Sequence, residues 1–222
     1  MNDVKLEKEY YPNVEKWLKN QYLCFETKTN IGTIKSRADV VGLRDVGGDF
    51  SGEIETIIIE VKRDKEAFAT ASGQAFGYTI YGNRVYLADI RNNGFTQDEI
   101  MIANHIGVGL IQIDNKNKCH EILTSPYYNP IKKFNMQLIY MMNYAKCQFC
   151  DHYFQIGNEN NRTSFVAKEN IDKAIKEEKG LLFWNRSVNI RKQKIKSEKR
   201  NKELTYERRF LCNECIELLF NR

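Results

Sequence analysis

Hydrophobic and polar positions alternate along this chain in two rhythms, and the clearest stretch is Ile57-Ile58-Ile59-Glu60-Val61-Lys62. A β-branched run of this length reads as a strand buried on both faces. Upstream, Ser36-Arg37-Ala38-Asp39-Val40-Val41-Gly42-Leu43 reads as another strand, with Asp39 interrupting its apolar residues. Gly47-Gly48-Asp49 and Ser51-Gly52 supply turn material between the two, so they pair as an antiparallel hairpin. Before them, Pro12 opens a helix with Val14, Trp17 and Leu18 on one face, and Tyr22 to Thr29 reads as a first strand. After them come a helix over 65–80 and a strand from Arg84 to Ile90. Thr96 caps a further helix whose first turn holds Gln97-Asp98-Glu99. A strand follows from Gly109 to Asp114, then a Met- and Tyr-rich apolar helix over 131–145. This order predicts an α/β (α+β) fold, a mixed central sheet flanked by helices.

Length adds a second compartment. A chain of 222 residues with 42% hydrophobic content holds one ordinary domain and a small companion. The expected division is 1–140 and 141–222, the latter with a basic insertion over about 160–208. No apolar run reaches the roughly 18 residues of a membrane span. Met1-Asn2-Asp3-Val4-Lys5 lacks the apolar core of a secretory signal, so the default expectation is a cytoplasmic protein without a membrane partner.

Four of the six cysteines fall into two pairs, Cys147-Gln148-Phe149-Cys150 and Cys212-Asn213-Glu214-Cys215. Each C-x-x-C turn offers two thiolates to one ion, and two turns complete a tetrahedral zinc site. A closed four-thiolate set leaves no place for substrate, so this zinc is expected to be structural, stapling a module too small to fold alone. The 61 residues between the pairs require an insertion. Two unrelated redox or buried pairs are the alternative, with disulfides disfavoured in a chain without an export signal. His152 beside the first pair could replace a cysteine, although a bystander is the plainer reading, and Cys24 and Cys119 lie in strand-like stretches as core residues.

The charged residues in the first compartment carry the candidate chemistry. Glu60 and Lys62 are two apart on a strand, so they share a face. Buried charges are expensive unless paired or bound, although a strand simply running out into solvent could also end this way. Hairpin pairing would bring Asp39 beside Glu60. Two carboxylates offer the oxygen ligands that Mg²⁺ prefers, and a neighbouring lysine can orient a water or stabilise charge developing on a phosphate.

Asp39 followed by Glu60-x-Lys62 resembles the PD-(D/E)xK nuclease superfamily, which includes many restriction endonucleases and Holliday junction resolvases; Ala38 stands where the motif's name has proline. Gln74-Ala75-Phe76-Gly77-Tyr78 looks like the Q-A-x-x-Y helix motif of a restriction-type subset, and Glu15 looks like the acidic residue many members carry on their first helix. The resemblance covers roughly residues 10 to 90 and implies a restriction-endonuclease-like sheet. It implies that Asp39 and Glu60, with the Val61 carbonyl, hold Mg²⁺ or Mn²⁺ and that Lys62 positions the attacking water. Gln74 would lie near the site, orienting Lys62 or a phosphate, and Glu15 would bind a second metal or a metal-bound water. Read from the residues alone, Glu15 could equally be an exposed helix position, and Gln74 and Tyr78, four apart, could simply pack on the sheet.

Charge separates the compartments. Residues 1–140 carry 17 Lys+Arg against 18 Asp+Glu, and residues 141–222 carry 17 against 11. Arg191, Lys192, Lys194, Lys196, Lys199 and Arg200 concentrate the excess. Such a stretch can neutralise phosphates, although a solvated insert is the plainer reading of any charged run. Together these features lead to the expectation of a metal-dependent endonuclease hydrolysing DNA, in restriction or defence against foreign DNA, with a C-terminal zinc-ribbon-like module. A homodimer would let paired sites cut both strands, and a protein partner in a defence or repair complex stays open. The alternatives are a catalytically silent nucleic-acid-binding subunit and a nuclease for RNA or branched DNA.

Overall fold

The structure, a computed structural model, describes residues 6–33, 36–47, 53–63, 67–147 and 149–155, together with Cys212, Glu214, Cys215 and Leu218. The chain separates into two units, Met1–Tyr144 and Ala145–Arg222.

Helix α1 (Tyr11–Gln21) begins on Pro12, where a missing amide hydrogen costs nothing, and buries Tyr11, Val14 and Leu18 at three- and four-residue spacing. It stops where the Tyr22 and Cys24 amides both return to the Leu18 carbonyl and Leu23 turns left-handed at φ 54°. That reversal uses up residues 22–25. The first strand, β1 (Glu26–Thr33), therefore starts later than Tyr22, and Tyr22 and Cys24 are buried in the turn that precedes it.

The six-stranded sheet runs in chain order: β1, β2 (Ser36–Asp45), β3 (Ile54–Arg63), β4 (Arg84–Ile90), β5 (Gly109–Ile113) and β6 (Cys119–Leu123). The pairs β1–β2, β2–β3 and β5–β6 are antiparallel, while β3–β4 and β4–β5 are parallel. Each parallel pair needs a helical crossover. Helix α2 (Phe68–Gly77), extended by a 3-10 turn over Tyr78–Ile80, joins β3 to β4, and α3 (Gln97–Ile106) joins β4 to β5. Thr96 caps α3 in a reciprocal box: its hydroxyl accepts from the Glu99 amide, and Glu99 accepts from the Thr96 amide at 2.8 Å. Gly107, at φ 79°, closes the helix. The apolar stretch after residue 130 forms α4 (Lys132–Met141) rather than a helix to 145, because Asn143 turns left-handed at φ 68°.

Strand β3 is buried continuously from Glu55 to Val61, as a central strand covered on both faces must be. On one face Ile57, Ile59 and Val61 pack with Val40, Tyr86, Ile111 and the α1 residues Val14 and Leu18. On the other, α2 packs on β3 and β4 with Ala71, Ser72 and Ala75 buried, small residues that let a helix lie close to a sheet. Fully burying three isoleucines contributes roughly 6 kcal/mol before entropy is counted. The result is a mixed α+β unit, a six-stranded mixed sheet flanked by helices. Among the described residues, no helix is long and apolar enough to cross a membrane.

From the last residue of the first unit into the second, β7 (Tyr144–Lys146) pairs with β8 (Tyr153–Gln155) in a two-stranded sheet, with Cys147 and Cys150 in the chain between them.

Candidate metal centres

Antiparallel pairing of β2 with β3 runs as far as Val40 opposite Ile59, and just past it Asp39 comes close enough to Glu60 for its charge to act on it. Both Asp39 oxygens are engaged. Oδ2 accepts the Val61 amide at 2.8 Å, and Oδ1 accepts the Tyr11 hydroxyl from α1. Val61 therefore meets Asp39 through its N–H, whereas the resemblance concerns its carbonyl. Lys62 Nζ lies 2.9 Å from Glu60 Oε1, as side chains two apart on one strand allow.

Glu60 is only 2% exposed, and its Oε2 is buried without a hydrogen-bond partner among the described residues. Burial pushes the Glu60 carboxyl up to about 7, and the Asp39 charge adds to the rise; Lys62 and Tyr78 offset part of it. The Tyr78 hydroxyl itself donates to the Arg37 carbonyl at 2.7 Å. A buried carboxylate oxygen in this condition lacks a partner that a cation or a further donor could supply.

The other residues of the expected site lie further out. Gln74 is exposed on α2, and its side chain interacts with Tyr78. Glu15 is half-buried on α1, one turn beyond Tyr11, and among the described residues no hydrogen bond or ion pair joins it to Asp39 or Glu60. What α1 delivers to Asp39 is Tyr11, which sequence reasoning missed. Only its four-residue spacing to Glu15 could have flagged it. Burial, then the bond to Asp39, raises the Tyr11 phenol far above its ordinary range, so it remains a donor.

Across the parallel pair, Asp89 of β4 registers with Lys62. Arg91 Nε is 2.6 Å from Asp89, its NH1 contacts both Glu99 oxygens at 2.8 and 2.7 Å, and its guanidinium stacks on Phe95. This network ties the end of β4 to α3, and it too was invisible in the linear pattern.

In the second unit, the sulfurs of Cys147, Cys150, Cys212 and Cys215 all lie within 4.8 Å of one another. Cys147 and Cys215 are buried and Cys150 is exposed. Asp151, left-handed at φ 61°, closes the first turn; its amide returns to the Cys147 carbonyl at 3.1 Å, and the Cys147 amide donates to the His152 carbonyl at 2.7 Å. Amides also point at sulfur: those of Phe149 and Cys212 lie 3.5 and 3.4 Å from Cys147 Sγ. Burial raises the Cys147 thiol, but these amides and that of Cys150 outweigh it and hold the thiol down to about 7. Four sulfurs so grouped could hold a metal such as zinc. His152 contributes its backbone and is exposed.

The basic positions Arg191, Lys192, Lys194, Lys196, Lys199 and Arg200 lie outside the described residues. No family model matches the chain, and no curated protein matches it. Among solved structures it is similar to the SPO1766 protein of unknown function from Silicibacter pomeroyi, at 20% identity, over 63% of this chain and 85% of that one, with a TM-score of 0.46.

Proposed function

We propose that the chain is a metal-dependent endonuclease of the PD-(D/E)xK type, with a restriction-endonuclease-like sheet, that hydrolyses DNA phosphodiester bonds in restriction or defence. The observation that carries this reading is the buried, unpartnered Glu60 Oε2 beside Asp39 and Lys62. A fold tolerates such an atom poorly unless something else completes it. Asp39 and Glu60, with the Val61 carbonyl, would hold Mg²⁺ or Mn²⁺, which when bound supplies the Lewis acidity that activates water and neutralises phosphate charge. Lys62, tethered to Glu60 and 13% exposed, has one side toward solvent from which to orient a water and stabilise charge on the phosphate. Gln74, whose side chain interacts with Tyr78, would orient Lys62 or a phosphate, and Glu15 would serve a second metal or a metal-bound water. The basic stretch of 191–200 would track phosphates.

The test is cleavage of mixed genomic and phage DNA, modified and unmodified, with Mg²⁺ or Mn²⁺. The parent cuts, and Asp39→Ala and Lys62→Ala lose cutting by at least a hundredfold, while Lys62→Ala still binds DNA. Cutting by either variant at the parent rate would refute the assignment. Single-stranded, branched and RNA substrates in the same assay separate the DNA reading from its alternatives.

The four cysteines hold structural zinc in a zinc-ribbon-like module. Metal analysis of the purified chain should find one zinc, lost in Cys147→Ser; metal-free parent protein with all thiols titratable would contradict this.

A further inference from the structure

We propose that Tyr11 is a positioning residue for the cation, fixing the Asp39 carboxylate so that Asp39 and Glu60 face one ion together. The inference rests on the nuclease reading and concerns a contact that the reading does not use. A carboxylate with a single donor swings about its Cβ–Cγ bond; one with a donor on each oxygen is pinned. The first donor to Asp39, the Val61 amide, comes with the pairing of β2 and β3. The second does not. It is a phenol 28 residues upstream, on the first turn of a helix that covers the opposite face of the sheet from α2. Tyr11 is itself buried, and Val14 and Leu18 behind it are sealed completely, so α1 has little freedom to withdraw the hydroxyl. Each Asp39 oxygen keeps a lone pair for a cation after accepting its hydrogen bond. Partners that orient a metal-binding carboxylate in this way commonly change affinity by roughly 10- to 100-fold when removed.

Tyr11→Phe removes the hydroxyl and keeps the ring, which separates the hydrogen bond from packing. The measurement is Mn²⁺ affinity of the full chain, carrying its zinc, by electron paramagnetic resonance, for the parent, Tyr11→Phe, Asp39→Asn and Val14→Ala, with a thermal melt of each. Asp39→Asn should abolish binding. Tyr11→Phe should weaken it about tenfold or more with a small change in melting temperature. Val14→Ala should melt lower yet bind Mn²⁺ like the parent. If Tyr11→Phe binds like the parent while Asp39→Asn does not bind, Tyr11 only packs and the nuclease reading stands without it. If Val14→Ala loses as much affinity as Tyr11→Phe, the effect belongs to the helix and the proposal falls. If the parent binds no Mn²⁺, or Asp39→Asn changes nothing, both readings fall.

Discussion

Strand β3 carries two buried glutamates five residues apart, and the chain treats them in opposite ways. Glu55 and Glu60 are both 2% exposed. Glu55 has a partner on each oxygen: Arg84 Nε at 2.6 Å on Oε1 and Arg44 NH1 at 3.3 Å on Oε2. Arg84 in turn donates to the Ser125 carbonyl at 2.6 Å, and Arg44 lies over the Tyr22 ring. This end of the strand is closed, a carboxylate used to bind β2, β3 and β4 together. Glu60 has Lys62 on one oxygen, the Tyr78 phenol nearby, a negative neighbour in Asp39, and, among the described residues, no geometrically sound hydrogen bond on its second oxygen. Burial alone therefore does not mark a functional acid. What distinguishes Glu60 is that the fold leaves its hydrogen bonding unfinished.

The sharpest way to break this contrast is to remove each carboxylate. Glu55→Ala strands two arginines around a buried gap and should destabilise the protein by about 3 kcal/mol, at the low end for a broken buried pair because Arg44 is partly exposed. Denaturant unfolding measures it, and a loss below that of a Glu60→Ala variant would mean the two ends are not different in kind.

The next effect has the opposite sign. Glu60 holds its proton up to about 7 in the fold against an ordinary 4.5. As pH rises through that window the unfolded chain has already ionised and the folded one has not, so metal-free stability falls and the full penalty is present above about pH 7. Glu60→Gln should therefore be more stable than the metal-free parent at pH 8, by up to about 3 kcal/mol, with the gain fading toward pH 5. A flat difference across pH would show that Glu60 is as well satisfied as Glu55.

Much of the sheet was legible because its central strands are mostly apolar: the runs within Ile57 to Val61 and Arg84 to Ile90 declare themselves. The α3 cap was legible for a related reason, since Thr96 and Glu99 carry their interaction within one turn. Strand β6 did not stand out, because an edge strand with half-exposed residues such as His120 and Glu121 has no apolar rhythm. The start of β1 was misplaced because Leu23 and Phe25 are apolar yet exposed, in a turn where residue type says little about position. For the carboxylates, local spacing gave the Glu60–Lys62 contact and hairpin pairing gave Asp39. The Tyr11 contact could not be read, because it depends on how a helix docks across the sheet. The cysteine cluster could, because thiolate pairs announce their chemistry in their spacing.

Gly42 gives that docking a tolerance. A side-chain carbon there would meet Cys24 Sγ at 2.8 Å and Leu18 Cδ1 at 3.1 Å, so β2 admits α1 only as closely as a bare backbone permits. Leu18 and Tyr11 are seven residues apart on one rigid rod, about 10 Å along its axis. A methyl group added at Gly42 would act as a shim under one end of that rod and be felt as misalignment at the other. With Tyr11 in its proposed positioning role, the acidic pair would depend in part on a residue with no side chain and no charge.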